Sequence, residues 1–238
     1  MTDYNVLAAG DTALIVDFGN LVDLNVSAKV LALAGRLNAL HIDGVIETVP
    51  TIRSLSIYYE PLTVSATGLE RKVADILEHL DDAPATGRSR DIPVCYDPEF
   101  APDLEQVAAE CNLHPSQVIE IHSSRIYHVY MLGFLPGLAY LGDLPAELAL
   151  PRRATPRPKI PAGSLGIGGK LTCIYPMTTP CGWHLIGRSP TSLWDPGLAR
   201  GALLRAGDKV KFKPVSLREY RRICADDIAA ASQTGKSH

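Results

Sequence analysis

The chain has 238 residues, 46% hydrophobic and 21% charged, an ordinary balance for a folded globular protein and enough length for two compact domains. Its 23 Lys and Arg against 26 Asp and Glu leave a formal net charge of −3, which excludes a general nucleic-acid binder, for which a basic surplus is required. No apolar run approaches the roughly 18–20 residues that span a bilayer, and the start MTDYNVLAAGD lacks the basic flank and apolar core of a secretory signal.

In chain order, Asn5–Ala8 and Thr12–Phe18 read as strands joined by the Gly10-Asp11 turn. Asn25 or Ser27 can cap a helix whose apolar positions Val30, Leu33, Leu37 and Leu40 share one face. Val45–Val49 and Arg53–Tyr59 follow as a strand pair. A second helix runs from about Thr67 to Leu80, with Leu69, Val73, Ile76, Leu77 and Leu80 inward. Two helices against one antiparallel or mixed sheet predict an α+β sandwich over residues 1–85. Asp81–Gly87, polar and broken by Pro and Gly, reads as a linker.

Residues 86–238 have a different character. Ile92–Tyr96 is a strand, Asp103–Cys111 and Pro115–His122 are short helices, and Arg125–Phe134 is a largely apolar strand. Short β segments then alternate with Gly and Pro: Ser164–Ile167, Thr172–Tyr175, His184–Ile186, Ser192–Trp194 and Lys209–Phe212. Such a series predicts a mostly-β barrel, since closure removes exposed sheet edges. Leu217–Ala231 reads as a closing helix and Ser232–His238 as a frayed tail.

Charge is unevenly spread. Residues 1–90 hold twelve acidic and seven basic side chains, whereas Leu148–Trp194 has no Asp or Glu but carries Arg152, Arg153, Arg157, Lys159, Lys170 and Arg188. Gly133–Asp195 also holds nine of the nineteen glycines and nine of the eighteen prolines. A turn-rich segment with only positive charge is built to face an anion. Cys95, Cys111, Cys173, Cys181 and Cys224 form no C-x-x-C pair and are odd in number, which fits free thiols in a reducing, cytoplasmic compartment.

Several familiar motifs fail on inspection. Gly166-Ile167-Gly168-Gly169-Lys170 lacks the first Gly and the final Ser or Thr of a phosphate loop, and Leu171 stands where a dinucleotide loop needs Gly. Ala162-Gly163-Ser164-Leu165-Gly166 misses the first Gly of a nucleophile elbow. The histidines show no i, i+4 ligand pair, so no tightly bound metal is expected. His122, at a helix end, reads either as a cap of the last carbonyls or as an acid/base facing the barrel mouth. Tyr140, Tyr175, Trp183 and His184 lie among glycines and prolines and read as barrel filling or as pocket walls with polar tips. Among the cations, Arg152 and Arg153 fit a solvated loop. Arg157 and Lys159, stiffened by Pro156, Pro158 and Pro161, and Arg188 at a strand end are the expected anion contacts.

Five segments together resemble a family signature: Gly133-Phe134-Leu135-Pro136-Gly137-Leu138-Ala139-Tyr140-Leu141-Gly142, Ala154-Thr155-Pro156-Arg157, Ile160–Ile167, Ile174-Tyr175-Pro176, and Gly182-Trp183-His184-Leu185-Ile186-Gly187-Arg188-Ser189-Pro190. The family is the B subunit of bacterial 5-oxoprolinase, also called allophanate hydrolase subunit 1 and related to a sporulation kinase inhibitor. The resemblance implies an N-terminal α+β domain followed by a cyclophilin-like barrel, and assembly with the C and A subunits of the same enzyme. It further implies ATP-dependent opening of 5-oxoproline to glutamate, and kinship with the urea carboxylase part of urea amidolyase. The chain departs from the family at Lys170, Leu171 and Cys173, where Gly-Gly-Gln-Thr-Gly is usual, and at Cys181, which replaces a common Gly.

Phosphorylating the amide oxygen of a lactam requires cations for the phosphate and a clamp for the substrate carboxylate. The basic window offers cations but no base and no Mg²⁺ ligand. The expectation is therefore a half-site: His122 and Asp195 as catalytic groups, ATP and Mg²⁺ shared with the C subunit, and a small carboxylate as substrate. Two alternatives carry other functions, a module that docks on and inhibits a sensor histidine kinase and a urea-amidolyase-type carboxyltransferase subunit. A deep pocket lined by Arg157, Lys159, Tyr175 and Arg188 favours the enzyme, and exposed apolar residues near Leu135–Leu141 with no enclosed pocket favour the inhibitor.

Overall fold

The computed structural model describes residues 4–80, 87–197 and 201–234. The chain divides into two compact units, Met1–Gly87 and Arg88–His238. Residues 81–86 of the expected linker Asp81–Gly87 and residues 235–238 of the expected tail Ser232–His238 lie outside the described residues, while Ser232–Thr234 continue the closing helix and are not a frayed tail. No helix among the described residues is long and apolar enough to cross a membrane.

In the first unit, β1 (Asn5–Ala8), β2 (Ala13–Asp17), β3 (Val45–Pro50) and β4 (Ser54–Tyr59) form an antiparallel sheet in the order β1-β2-β4-β3. Period-two alternation puts Leu14, Val16, Leu55, Ile57 and Tyr59 on one face. They pack in one core with Val30, Leu33 and Leu37 of α1 (Leu24–Ala39) and Leu69 and Val73 of α2 (Ala66–Glu78). The cap of α1 is Asp23, upstream of the expected Asn25 or Ser27. Its carboxylate accepts from the backbone N–H groups of Asn25 at 2.8 Å and Val26 at 3.2 Å, an arrangement that stabilises the helix start.

The second unit is built on β5 (Ser89–Val94), β6 (Ile126–Leu132), β7 (Ala139–Gly142), β9 (Ser164–Gly168), β10 (Leu171–Ile174), β12 (His184–Arg188) and β13 (Lys209–Pro214). These form one seven-stranded sheet, β12-β9-β10-β7-β6-β13-β5, in which only β5 and β13 run parallel. The sheet curls into a half-barrel whose edges meet at one bridge, with Cys95 and Arg188 exchanging backbone hydrogen bonds of 2.8 and 2.9 Å. A separate ribbon pairs β8 (Arg157–Ile160) with β11 (Thr179–Cys181). Helices α3 (Leu104–Glu110) and α4 (Pro115–Ser124) pack on the sheet, and α5 (Leu217–Thr234) closes the chain. The expected Ser192–Trp194 strand is reduced to one bridge between Trp194 and Ala202.

Strand β9 separates two cores. Leu165 and Ile167 join the interior with Ile92, Val94, Tyr127, Val129, Ile186, Val210 and Phe212. On the opposite face, Tyr175, Trp183, Cys173, Cys181, Leu138, Ile160 and Leu185 make a second cluster. Gly166 and Gly168 are the seats for its rings. A Cβ on Gly166 would lie 3.2 Å from the Tyr175 ring, and one on Gly168 would lie 2.9 Å from the Trp183 indole. The Gly-x-Gly that superficially suggests phosphate binding is an aromatic seat.

Candidate functional site

A cavity of about 310 Å³ opens on the second cluster. Tyr140 of β7, Tyr175 after β10 and Trp183 before β12 form its aromatic wall, with Cys173 and Cys181 beside them. Arg152, Arg153 and Pro156 contribute from the loop before β8, and Phe134 and Leu138 from the β6–β7 loop. The Trp183 and Tyr140 rings meet edge to face, centroids 6.0 Å apart, and the Arg152 guanidinium lies 5.9 Å from the indole centroid. Burial pushes the Tyr140 and Tyr175 hydroxyls above their ordinary range, so both remain proton donors at neutral pH. The thiol of Cys181 donates to the Tyr175 oxygen at 3.1 Å. None of the residues lining this cavity is a carboxylate. Cation, aromatic face and hydroxyl donors around a small volume suit a compact anion with a flat polar ring.

A second cavity, about 400 Å³, shares Arg152 and Arg153 and adds Gln106, Glu110, Thr155 and His184. The His184 Nε2 lies 3.0 Å from the Pro151 carbonyl, which makes it the donor and His184 an anchor of the arginine loop.

The basic loop is positioned by one buried carboxylate. Asp103, 2% exposed, accepts from Arg153 Nη1 at 2.9 Å, from Arg157 Nη1 and Nη2 at 2.8 and 2.6 Å, and from the Leu185 backbone N–H at 2.7 Å. Burial would raise its pKa, but the hydrogen bonds from Arg157 and Leu185 and the two guanidinium charges hold it below the ordinary carboxylate range. Asp103 thereby ties the loop before β8 to the start of β12.

Tyr140, Tyr175 and Trp183 thus come together as expected pocket walls, and the cations beside them are Arg152 and Arg153, read from sequence as solvated. Arg157, expected to be an anion contact, is held by Asp103 and does not line the cavity. Arg188 does not line it either: its guanidinium lies 5.0 Å from the Phe100 ring centroid, and Phe100 in turn packs on Tyr220 of α5 at 4.5 Å. Lys159 is exposed on the β8 ribbon, and Asp195 is exposed in a turn, accepting from the Gly197 N–H at 2.8 Å.

His122 sits at the end of α4 in the barrel interior, fully buried, not at the mouth. Thr172 donates to the Gly166 carbonyl at 3.0 Å, so its oxygen accepts from His122 Nε2–H at 3.1 Å, and Nδ1 accepts from the Tyr96 hydroxyl at 2.8 Å. Both nitrogens are satisfied by neutral partners and the ring stacks on Phe212. A proton here would be buried and unpaired, and burial lowers the pKa to about 3. The unfolded chain takes up that proton near pH 6.5. Between those values the unfolded state binds more protons, so stability falls as pH falls, by up to about 1.4 kcal/mol per pH unit. Urea midpoints measured from pH 7 to 4 should show this slope in the wild type and a flatter one in His122→Gln. Equal slopes would remove His122 as the titrating group.

The chain matches the family described as Carboxyltransferase domain, subdomain C and D, over residues 4–204. It is 40% identical over 231 residues to the 5-oxoprolinase B subunit of Bacillus subtilis (strain 168), covering 91% of this chain and 95% of that protein. It is 41% identical over 206 residues to the 5-oxoprolinase B subunit of Escherichia coli O157:H7, covering 86% and 93%. Among solved structures, TTHA0988 matches with a TM-score of 0.77 at 34% identity over 86% of this chain. This chain spans only 40% of that longer polypeptide.

Proposed function

The chain belongs to the family of 5-oxoprolinase B subunits, within the carboxyltransferase subdomain C and D proteins, and from that premise we propose that its aromatic–cationic cavity holds 5-oxoproline for ATP-dependent opening to glutamate. One observation carries this reading. Arg152 and Arg153 share a small cavity with Tyr140, Tyr175 and Trp183, and no carboxylate lines it. In that cavity Arg152 clamps the substrate carboxylate, the indole face of Trp183 supports the lactam ring, and a protonated tyrosine hydroxyl reaches the lactam carbonyl.

In this reading the same lining calls for a second subunit. Cations fit a phosphate as well as a carboxylate, but among the described residues no group of three His, Cys, Asp or Glu side chains could hold a metal ion. Because no carboxylate lines the cavity, this reading takes the Mg²⁺ ligands and a general base from the C subunit, and ATP supplies the phosphoryl group that activates the amide oxygen. This chain's residues bind and orient the lactam. The match to a longer single polypeptide agrees with such a division, since functional partners can be joined in one chain. Of the four residues expected to line a deep catalytic pocket, Tyr175 alone lines this cavity, and the preference for the enzyme over the kinase-docking alternative rests on Arg152 and Arg153 standing where Arg157, Lys159 and Arg188 were expected.

The test is 5-oxoproline-dependent ATP hydrolysis by this chain alone, and then assembled with the C and A subunits from the same organism. The isolated chain should turn over well below 1 s⁻¹, the low end of ordinary enzymes, and the assembly above it. Arg152→Ala in the assembly should lower kcat/KM by roughly 10–150-fold, the worth of a hydrogen bond to a charged group. Turnover by the isolated chain, or an unaffected Arg152→Ala assembly, overturns the half-site.

A further inference from the structure

The loop Gly133–Leu138 between β6 and β7 holds a cavity-lining ring on an unusual backbone conformation. Phe134 is 65% exposed although it borders the cavity. Its φ is +68°, a left-handed value that L side chains adopt at a cost. The Leu135 N–H reaches back to the Gly133 carbonyl at 2.8 Å, so Phe134 is the centre of a three-residue γ-turn of the rare, strained hand.

The next turn locks it in place. The Leu138 N–H bonds the Leu135 carbonyl at 3.1 Å, with Pro136 and then Gly137 (φ +78°) at the corner, the residues a type II turn demands. A Cβ on Gly137 would lie 2.8 Å from both the Leu193 carbonyl oxygen and the Trp194 Cβ, so the loop is pressed onto the segment before Asp195. A rigid, strained loop therefore holds a large aromatic ring out in water. Most of that residue's surface stays in contact with solvent in the folded chain.

We propose that Phe134 is the anchor of the interface with the C subunit, inserting into an apolar socket of that partner that is rimmed by carboxylates. The proposal rests on the half-site reading and adds the surface that joins the halves. Three observations select this occupant. The ring stands on the rim of the very cavity that needs a second subunit's groups. The cavity beside it offers only positive charge: Arg152 and Arg153 line it and no carboxylate does, and Arg152 has no ion pair among the described residues. A pre-ordered aromatic also binds without the entropy loss of a mobile one, which is the character of interface hot spots.

The experiment is affinity measurement between this chain and the purified C subunit of the same organism, for wild type, Phe134→Gly and Arg152→Glu. Glycine accepts the positive φ, so F134G should keep the fold with little change in thermal midpoint, relief of strain being offset by glycine's larger unfolded-state entropy, while weakening the complex by about 30-fold or more. R152E should slow association and lessen its dependence on salt. An F134G complex as tight as wild type, or an F134G chain that no longer folds, overturns the anchor: in the first case the ring is not in the interface, in the second it holds up its own fold. If the wild-type chain forms no complex with the C subunit, the half-site reading falls as well, so the two failures are separable.

Discussion

Asp103→Ala should be strongly destabilising, costing about 3–5 kcal/mol. The carboxylate accepts four hydrogen bonds, three of them from Arg153 and Arg157. Its removal leaves two guanidinium groups, each about three-quarters buried, facing one another without a counter-charge, and strands the Leu185 N–H. Asp103→Asn keeps an acceptor for Leu185 but not the charge, so it should lie between wild type and alanine. Equilibrium urea unfolding of the three proteins gives the order directly. The loop bearing Arg152 and Arg153 depends on the same tie, so binding of 5-oxoproline should fail in Asp103→Ala under conditions where it is still folded. A loss below about 1 kcal/mol would mean that the loop holds its shape without the carboxylate.

The second large effect should fall on activity. In Gly168→Ala the new methyl occupies space held by the Trp183 ring, 2.9 Å away. The core side is closed by the strand itself, so the indole must move toward the cavity and disturb Tyr140 and Arg152, its neighbours there. Overpacking of this kind costs about 1–3 kcal/mol of stability. A shift of about 1 Å in a positioning group costs roughly 100-fold in rate, and the assembled enzyme should lose at least that in kcat/KM. Only two tryptophans occur in the chain, so a Trp194→Phe background makes Trp183 the sole emitter and its spectrum should change in Gly168→Ala. Full activity together with an unshifted spectrum would mean that the seat tolerates a methyl.

Local patterns carried most of the secondary structure because they are local. The alternation of Leu165 and Ile167 with glycines marks β9, and Val30, Leu33 and Leu37 at helical spacing mark α1. The short strands β8 and β11 escaped notice because Pro158 and Pro180 sit inside them, and proline ordinarily argues against a strand that is not at an edge. The site was legible in its aromatics and not in its charges. Proline stiffening correctly implied that Arg157 is aimed, but its target is Asp103, 54 residues earlier, and no local pattern reports a partner at that distance. The reverse holds for Arg152, whose Pro-Arg-Arg setting looks like solvated loop until Trp183 is brought beneath it. His122 is the same lesson in the core: only packing decides whether a histidine at a helix end meets water or Tyr96 and Thr172.

The pairing of β5 with β13 sets a schedule for the chain's synthesis. Ser89 lies opposite Lys209 in that ladder, so the first strand of the unit receives its neighbour only after 120 further residues have been made. At about 5–20 residues per second, β5 waits on the order of 6–24 s on a ribosome-bound chain. Pairings so distant in sequence also fold slowly once complete. A strand left open that long invites the wrong partner, and Ser89-Arg90-Asp91-Ile92-Pro93-Val94 resists it: two adjacent charges and a proline that offers no N–H are what keep a waiting edge from annealing to another nascent chain.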